Sequence, residues 1–274
     1  MRTREHGGGR LTIPVDEKFL WLIVLHFMAN EGSIQRIGQI WSVRLLSPAG
    51  QKRKRGIRGI IGADGTHIPI LAPHHMPNAY VNRKWFHSIS VQAVCDDTMF
   101  FTDIYAGWPG SVDDAKVFVN SPLGQSLREQ PHPQCPGETF LIGNAAYPLY
   151  ASLLTPFRDT GRLTQDQKNY NFVHSSSRMV IERAFGLLKG RFRRLKLMEV
   201  TAIEECVQVI TAIFVVHNIC LISEDEEIEE FIDNDNSEDA DSTVCLASTP
   251  GLRSENTAGS LRRQAVVDSL WCHI

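Results

Sequence analysis

The spacing of hydrophobic residues changes several times along the chain, and each change marks a new element. From Val15 to about Ala29 the residues are strongly apolar and helical in period, Glu31-Gly32-Ser33 stops that run, and Ile34–Trp41 resumes as a shorter helix. Two helices joined by a Gly-containing turn read either as a helix-turn-helix or as a plain helical hairpin. Strand-like runs follow at Gly59–Asp64, His87–Cys95 and Met99–Tyr105, with Asp96-Asp97-Thr98 forming a hairpin turn between the last two. Pro109-Gly110-Ser111 breaks the β pattern. Val112–Asn120 then has helical spacing, with Asp113 and Asp114 in its first turn, where acids favour the helix dipole. Thr139–Gly143 is another buried strand, ending at Asn144. Thr164 opens a helical region that leads into the stretch 175–196, where Met179, Ile181, Ala184, Phe185, Leu188 and Phe192 make one apolar stripe. Ala202–Leu221 is mostly apolar and closes the core, and Leu261–Leu270 carries a weak helical pattern.

Three hairpin-joined strands, a helix, a fourth strand and then helices match a ribonuclease-H-like α/β fold. In that fold a strand parallel to the first extends three antiparallel ones, so the C-terminal ends of strands one and four lie side by side. Asp64 and Asn144 stand at those two ends, and Glu182 lies on the long helix that crosses the sheet. At about 100° per residue, Arg178, Glu182 and Lys189 fall within roughly 40° of one another on that helix. A lone carboxylate among cations is either a solvated, salt-bridged face or a metal ligand beside groups that hold a phosphate backbone.

Charge shifts the balance between those readings. Ser223–Ser242 holds 11 of the 31 acidic residues and no Lys or Arg, which leaves 28 basic against 20 acidic residues elsewhere. An electropositive body with an acidic tail calls for an anionic partner. The run 51–58, QKRKRGIR, is either a nuclear-import or phosphate-contact cluster or an exposed linker. Cys95, Cys135, Cys206, Cys220, Cys245 and Cys272 are scattered without CxxC or finger spacing, as expected of reduced thiols in an intracellular protein. Phe19–Ala29 is too short to span a bilayer and the N-terminus lacks a signal-peptide pattern, so no membrane is expected. The organisation read from these shifts is a helical region at 1–50, an α/β domain at 57–221 and a largely disordered acidic tail at 222–274.

Isolated acids aimed by strand ends and one helix suit two-metal phosphodiester hydrolysis, which needs hard oxygen ligands for Mg²⁺ or Mn²⁺. GADGTHIPI (62–70), NRKWFHSISVQAVCDD (82–97), FTDIYAGWPGSVDDAKVF (101–118), IGNAAYPL (142–149), TPFRDTGRLTQDQKNYN (155–171), SSSRMVIERAFGLLKGRFRRL (175–195) and VVHNIC (215–220) occur in collinear order. Together they resemble the DDE domain of PIF/Harbinger transposases and their domesticated nuclease derivatives. The resemblance implies a metal-dependent, DNA-cutting nuclease in the nucleus, working with a separate Myb/SANT-like DNA-binding partner. It implies Asp64, Asp114 and Glu182 as catalytic acids and metal ligands, and Arg178 and Lys189 as DNA contacts; Arg191 and Arg193, in the basic run beyond Lys189, read as further phosphate contacts. Asp114 has an alternative as a plain helix-N-terminal acid. The family's further acid, in GD-x-x-Y, is replaced by Asn144, which removes a negative charge from a site built for two dications. The expectation is an endonuclease weakened by Asn144, with an inactive DNA- or protein-binding factor as the alternative. The interval between Trp41 and Asp64, about 20 residues, is shorter than the family pattern.

Other residues carry simpler readings. His67, His74, His75 and His87 lack zinc spacing, and His217 reads as a buried, hydrogen-bonded histidine. Trp85 and Trp108 read as core or loop anchors rather than base-stacking platforms. Ser175–Ser177 read as the N-terminal side of a helix.

Overall fold

Small and branched residues alternate between Gly62 and Ile70, giving one strand two different faces, and the sheet is assembled around it. The computed structural model of the chain describes residues 60–129, 139–199, 202–222 and 257–271. The two N-terminal helices and the basic run at 51–58 lie outside the described residues. Strand β1 (Ile60–Pro69) pairs antiparallel with β2 (Ser88–Cys95), which pairs antiparallel with β3 (Phe101–Pro109). On its other side β1 runs parallel to β4 (Phe140–Gly143), and β4 runs parallel to the short β5 (Leu153–Leu154). The order β3-β2-β1-β4-β5 is the ribonuclease-H-like arrangement expected from the sequence.

One expectation changes in detail. Strand one does not end at Asp64 but continues to Pro69, because β2 stays paired with it as far as Pro69↔Ser88. Pairing with β4 stops at Ala63↔Gly143. Asp64 therefore sits where one neighbour ends while the other continues.

The two faces of the sheet bury different helices. Ala63, Val94, Leu141 and Leu153 face α1 (Asp114–Asn120) and α2 (Pro122–Glu129) through Phe118, Leu123 and Leu127. Helix α2 is not evident in the sequence, because Pro122 and Gly124 mask a short amphipathic turn. Ser121 links the two helices, its hydroxyl donating to Phe118 O at 2.7 Å and accepting from Gly124 N at 2.9 Å. On the opposite face Ile68, Ile89, Val91 and Ala93 bury the C-terminal half of α3 (Gln165–Arg191) and the core side of α4 (Ile203–Ile222).

Helix α3 starts at a capping box. Thr164 Oγ1 accepts from Gln167 N at 3.3 Å while Thr164 N donates to Gln167 Oε1 at 3.1 Å, which satisfies two N-terminal donors. Ser175–Ser177 thus lie within the helix, not before it, and the helix gives way at Phe192 to a 3₁₀ turn, Arg193–Lys196. Ile181, Ala184, Phe185 and Leu188 are buried as the stripe predicts, but Met179 is exposed. The N-terminal half of α3 packs Tyr170 with Phe140, Ile142 and Leu154 and with Val266 and Val267 of α5 (Thr257–Trp271). That last helix extends the weak pattern seen at Leu261–Leu270, so part of the segment past residue 222 is packed onto the core. Its Arg263 guanidinium lies 3.9 Å over the Phe157 ring and is aimed at the carbonyls of Thr155 and Pro156.

Cys95 and Cys206 are buried cysteines and Cys220 is a half-buried one.

Candidate active site

Gly62 sets the distance between β1 and α3. A Cβ there would lie 3.2 Å from Ile181 Cβ, so the bare backbone lets the helix settle close against the strand. Ile181 immediately precedes Glu182, and Arg178 lies one turn earlier. The close approach brings both beside Asp64, which points to the same face as Gly62 because side chains alternate along a strand.

Arg178 joins the two acids. Its Nη1 donates to Asp64 Oδ2, and its Nη2 stands 2.7 Å from Glu182 Oε1. The other Asp64 oxygen, Oδ1, accepts from Gly65 N at 2.9 Å and from Asn144 Nδ2 at 3.2 Å. Asn144 Oδ1 is turned the other way and accepts from Ala146 N at 2.5 Å, which fixes the amide with its NH₂ towards Asp64. Asp64 is nearly buried whereas the Glu182 side chain is 49% exposed, so the pair is wet on the helix side only. Burial raises the Asp64 carboxyl above its ordinary value, and Arg178, the Gly65 N–H and Asn144 pull in the opposite direction.

Asp114 approaches from the other face of the sheet. A Cβ on Gly65 would lie 2.7 Å from Asp114 Oδ1, so this glycine makes room for a carboxylate beneath the backbone next to Asp64. Burial, then the Asp64 charge, push the Asp114 carboxyl up to about 6, with Arg83 opposing. Asp113, the helix-flanking acid, is exposed and ion-paired with Arg83.

Of the residues expected from sequence, the structure thus brings Asp64, Arg178, Glu182 and Asn144 into one contact set and puts Asp114 behind it. Among the described residues no three His, Cys, Asp or Glu side chains stand close enough together to surround a metal ion. Two hard oxygens, Asp64 Oδ2 and Glu182 Oε1, nevertheless converge on a single cation, the guanidinium. Hard oxygens of this kind are the ligands a divalent cation takes, whereas Asn144 turns its N–H face, not an oxygen, towards Asp64. The remaining expected cations differ in exposure. Lys189 is half-buried in the last turn of α3, Arg193 is exposed in the following 3₁₀ turn, and the terminal nitrogens of Arg191 are buried without a hydrogen-bond partner.

Tyr147 was not singled out from the sequence. Its ring stacks on Phe118 at 4.9 Å between centroids, and its buried hydroxyl has no hydrogen-bond partner. Burial, Asp64 and Asp114 push that hydroxyl well above its ordinary value, so it stays a neutral donor. The signal was the Tyr that closes the GD-x-x-Y pattern around Asn144.

A five-stranded sheet of this order, with an acid on its central strand and another on the crossing helix, defines a domain of the ribonuclease-H-like fold. The family model described as DDE superfamily endonuclease matches residues 63–218. The chain belongs to that superfamily and stands with its Harbinger-derived members. It is 32% identical over 202 residues to "Putative nuclease HARBI1" of Bos taurus, covering 72% of this chain and 53% of that protein. It is 36% identical over 170 residues to the Mus musculus protein of the same name, covering 61% of this chain and 47% of that one. Similarity extends to "Protein ALP1-like" of Arabidopsis thaliana, at 30% identity over 192 residues, 64% of this chain and 46% of that protein. The chain spans about half the length of the curated relatives it matches. No solved structure matches it.

Proposed function

We propose that the chain is a transposase-derived DNA endonuclease of the metal-dependent DDE type whose hydrolysis is attenuated at Asn144. The convergence of Asp64 and Glu182 on one cation, through Arg178, is the observation that carries this reading. Mg²⁺ or Mn²⁺ at that seat would supply an activated water and draw charge from the phosphodiester. The chain's own contribution is to aim the acids, Asp64 from the sheet and Glu182 from α3. Arg178, once released from both, is a cation placed to pair with a phosphate oxygen. Asp114 adds negative charge behind Asp64, and Lys189 and Arg193 are assigned to the DNA backbone in salt-dependent contacts, a role the buried terminal nitrogens of Arg191 do not suit. A nuclear location, which the 51–58 basic run would serve, and a Myb/SANT-like DNA-binding partner, which the resemblance to Harbinger transposases implies, belong to the same reading.

The Asn144 hydrogen bond favours a second reading, a catalytically inactive domain retained for binding DNA or protein. Its NH₂ occupies Asp64 Oδ1 and offers no ligand oxygen to the seat. Plasmid nicking with Mn²⁺ separates the two. Nicking by the chain as it stands, lost in Glu182→Ala, establishes the endonuclease and ends the inactive reading. Nicking confined to Asn144→Asp ends the endonuclease reading for the natural chain.

A further inference from the structure

Trp85 is not an anchor. It is 88% exposed, the most exposed large apolar residue described, and its backbone holds φ at 64°, a left-handed conformation that bulky residues rarely adopt. The turn around it is nevertheless firmly built. Asn82 is buried, accepts at Oδ1 from Lys84 N (2.9 Å) and Phe86 N (3.3 Å), and donates from Nδ2 to Ser88 Oγ at 3.1 Å. Backbone bonds from Asn82 N to Phe86 O and from Trp85 N to Asn82 O, both 3.0 Å, close the turn. A rigid frame thus spends a disfavoured backbone conformation to hold an indole in water, as binding surfaces do.

Position and charge say what the indole meets. Arg83 and Lys84, both exposed, precede it in the same turn. Arg83 is ion-paired with Asp113, the residue before α1, and the next residue, Asp114, lies against Gly65 beside Asp64. The turn is therefore tied through one side chain to the helix terminus that abuts the candidate active site. A projecting aromatic ring behind two cations matches the chemistry of an unstacked nucleobase on a phosphate backbone, since every base offers a π-face. We propose that Trp85 is a base-stacking platform that receives an unpaired or extruded nucleotide of the DNA held at the Asp64–Glu182 site. The proposal rests on the DNA-acting reading of that site and adds a ligand-contacting residue to it.

The test uses the full chain in EDTA, so that cleavage does not intervene, with a fluorescent DNA hairpin carrying one unpaired 2-aminopurine. Expected are a change in 2-aminopurine emission on binding, and affinity about ten- to a hundredfold weaker for Trp85→Ala by anisotropy. Trp85→Phe should largely restore binding. The dependence of affinity on salt should be unchanged in Trp85→Ala, because no phosphate contact is lost, and shallower in Arg83→Gln. An exposed side chain leaves the thermal midpoint of Trp85→Ala near that of the unaltered chain, which confirms that the fold survives. Equal affinity of Trp85→Ala and the unaltered chain, or an equal loss on fully paired duplex, overturns the stacking role while leaving DNA binding intact. A chain that binds no DNA at all overturns both this proposal and the reading beneath it.

Discussion

Restoring the missing acid, Asn144→Asp, should make the protein less stable and dependent on metal at once. The amide NH₂ stands 3.2 Å from Asp64 Oδ1 and donates to it. Substitution removes a hydrogen bond to a charged acceptor, about 1.5–3 kcal/mol, and puts a second carboxylate at the same distance. Two unit charges some 4 Å apart repel by about 4 kcal/mol at an effective dielectric constant near 20, and proton sharing or rotation of the new side chain relieves much of this. A net loss of about 2–4 kcal/mol is expected at pH 7.5 without metal, a fall in thermal midpoint of roughly 5–15 °C for a domain of this size. Divalent cation at a hundred times its Kd should return about 2.7 kcal/mol. The assay is thermal unfolding of both proteins in EDTA and in rising Mn²⁺. The natural chain should shift little over the range that rescues the variant, because its acids already share Arg178. Lowering the pH to 5 should narrow the gap in EDTA, since the carboxylate pair then holds a proton. An unchanged midpoint for Asn144→Asp in EDTA, or an equal Mn²⁺ response in both proteins, would refute the reasoning.

Arg178→Gln, measured by calorimetry, should bind Mn²⁺ about tenfold more tightly than the natural chain, because the competing guanidinium is gone and a half-buried ion pair is worth about 1–2 kcal/mol; weaker binding would show that Arg178 assists the metal instead. Asp103 on β3 is pushed up to about 6 by burial alone. The folded state then binds the extra proton between about pH 4 and 6, so this group's contribution to stability is lost as pH rises through that window. Asp103→Asn should raise the urea midpoint at pH 7.5, by about 1–2 kcal/mol after discounting its partial exposure, and change little at pH 4; a loss at pH 7.5 would contradict this. Asn218 on α4 clamps the start of β3, accepting from Phe101 N at 2.9 Å and donating to Phe101 O at 2.7 Å. Asn218→Ala should cost about 2–4 kcal/mol in urea unfolding and speed amide exchange in β3 first; uniform exchange would argue against a local clamp.

Sheet order and the crossing helix were legible because each rests on local pattern: alternation through Ser88–Cys95, the capping Thr164, and a stripe that repeats every turn from Ile181. Elements that depend on tertiary support were not. Helix α2 begins at a proline and β5 is two residues long; α5 showed only as the weak pattern at 261–270, because it binds the core through Val266, Val267 and an arginine over Phe157. The end of β1 was misplaced because strand length is set by the partner, and β2 extends it where β4 does not. At the site, residue types and their order could be read, but contacts could not. Trp85 shows the limit most plainly: nothing in NRKW (82–85) says that the ring points outward, because exposure follows from the buried Asn82 that frames the turn.

Arg178 is the residue whose meaning the structure changes most. On a helical wheel it is a cation one turn from an acid, and solvent exposure would make the pair worth little. Gly62 removes that option by drawing α3 onto β1, so the guanidinium reaches Asp64 as well as Glu182. The geometry that lets two acids share a cation therefore also supplies one from the chain itself. With Asn144 neutral, the two carboxylates of Asp64 and Glu182 face the one guanidinium of Arg178, which leaves a single net negative charge. With an aspartate at 144 the deficit would double, and an internal cation would no longer suffice. On this argument the substitution at 144 and the ion pairs of Arg178 are two sides of one state: the site is stable without metal to the extent that it has lost the charge that would demand it.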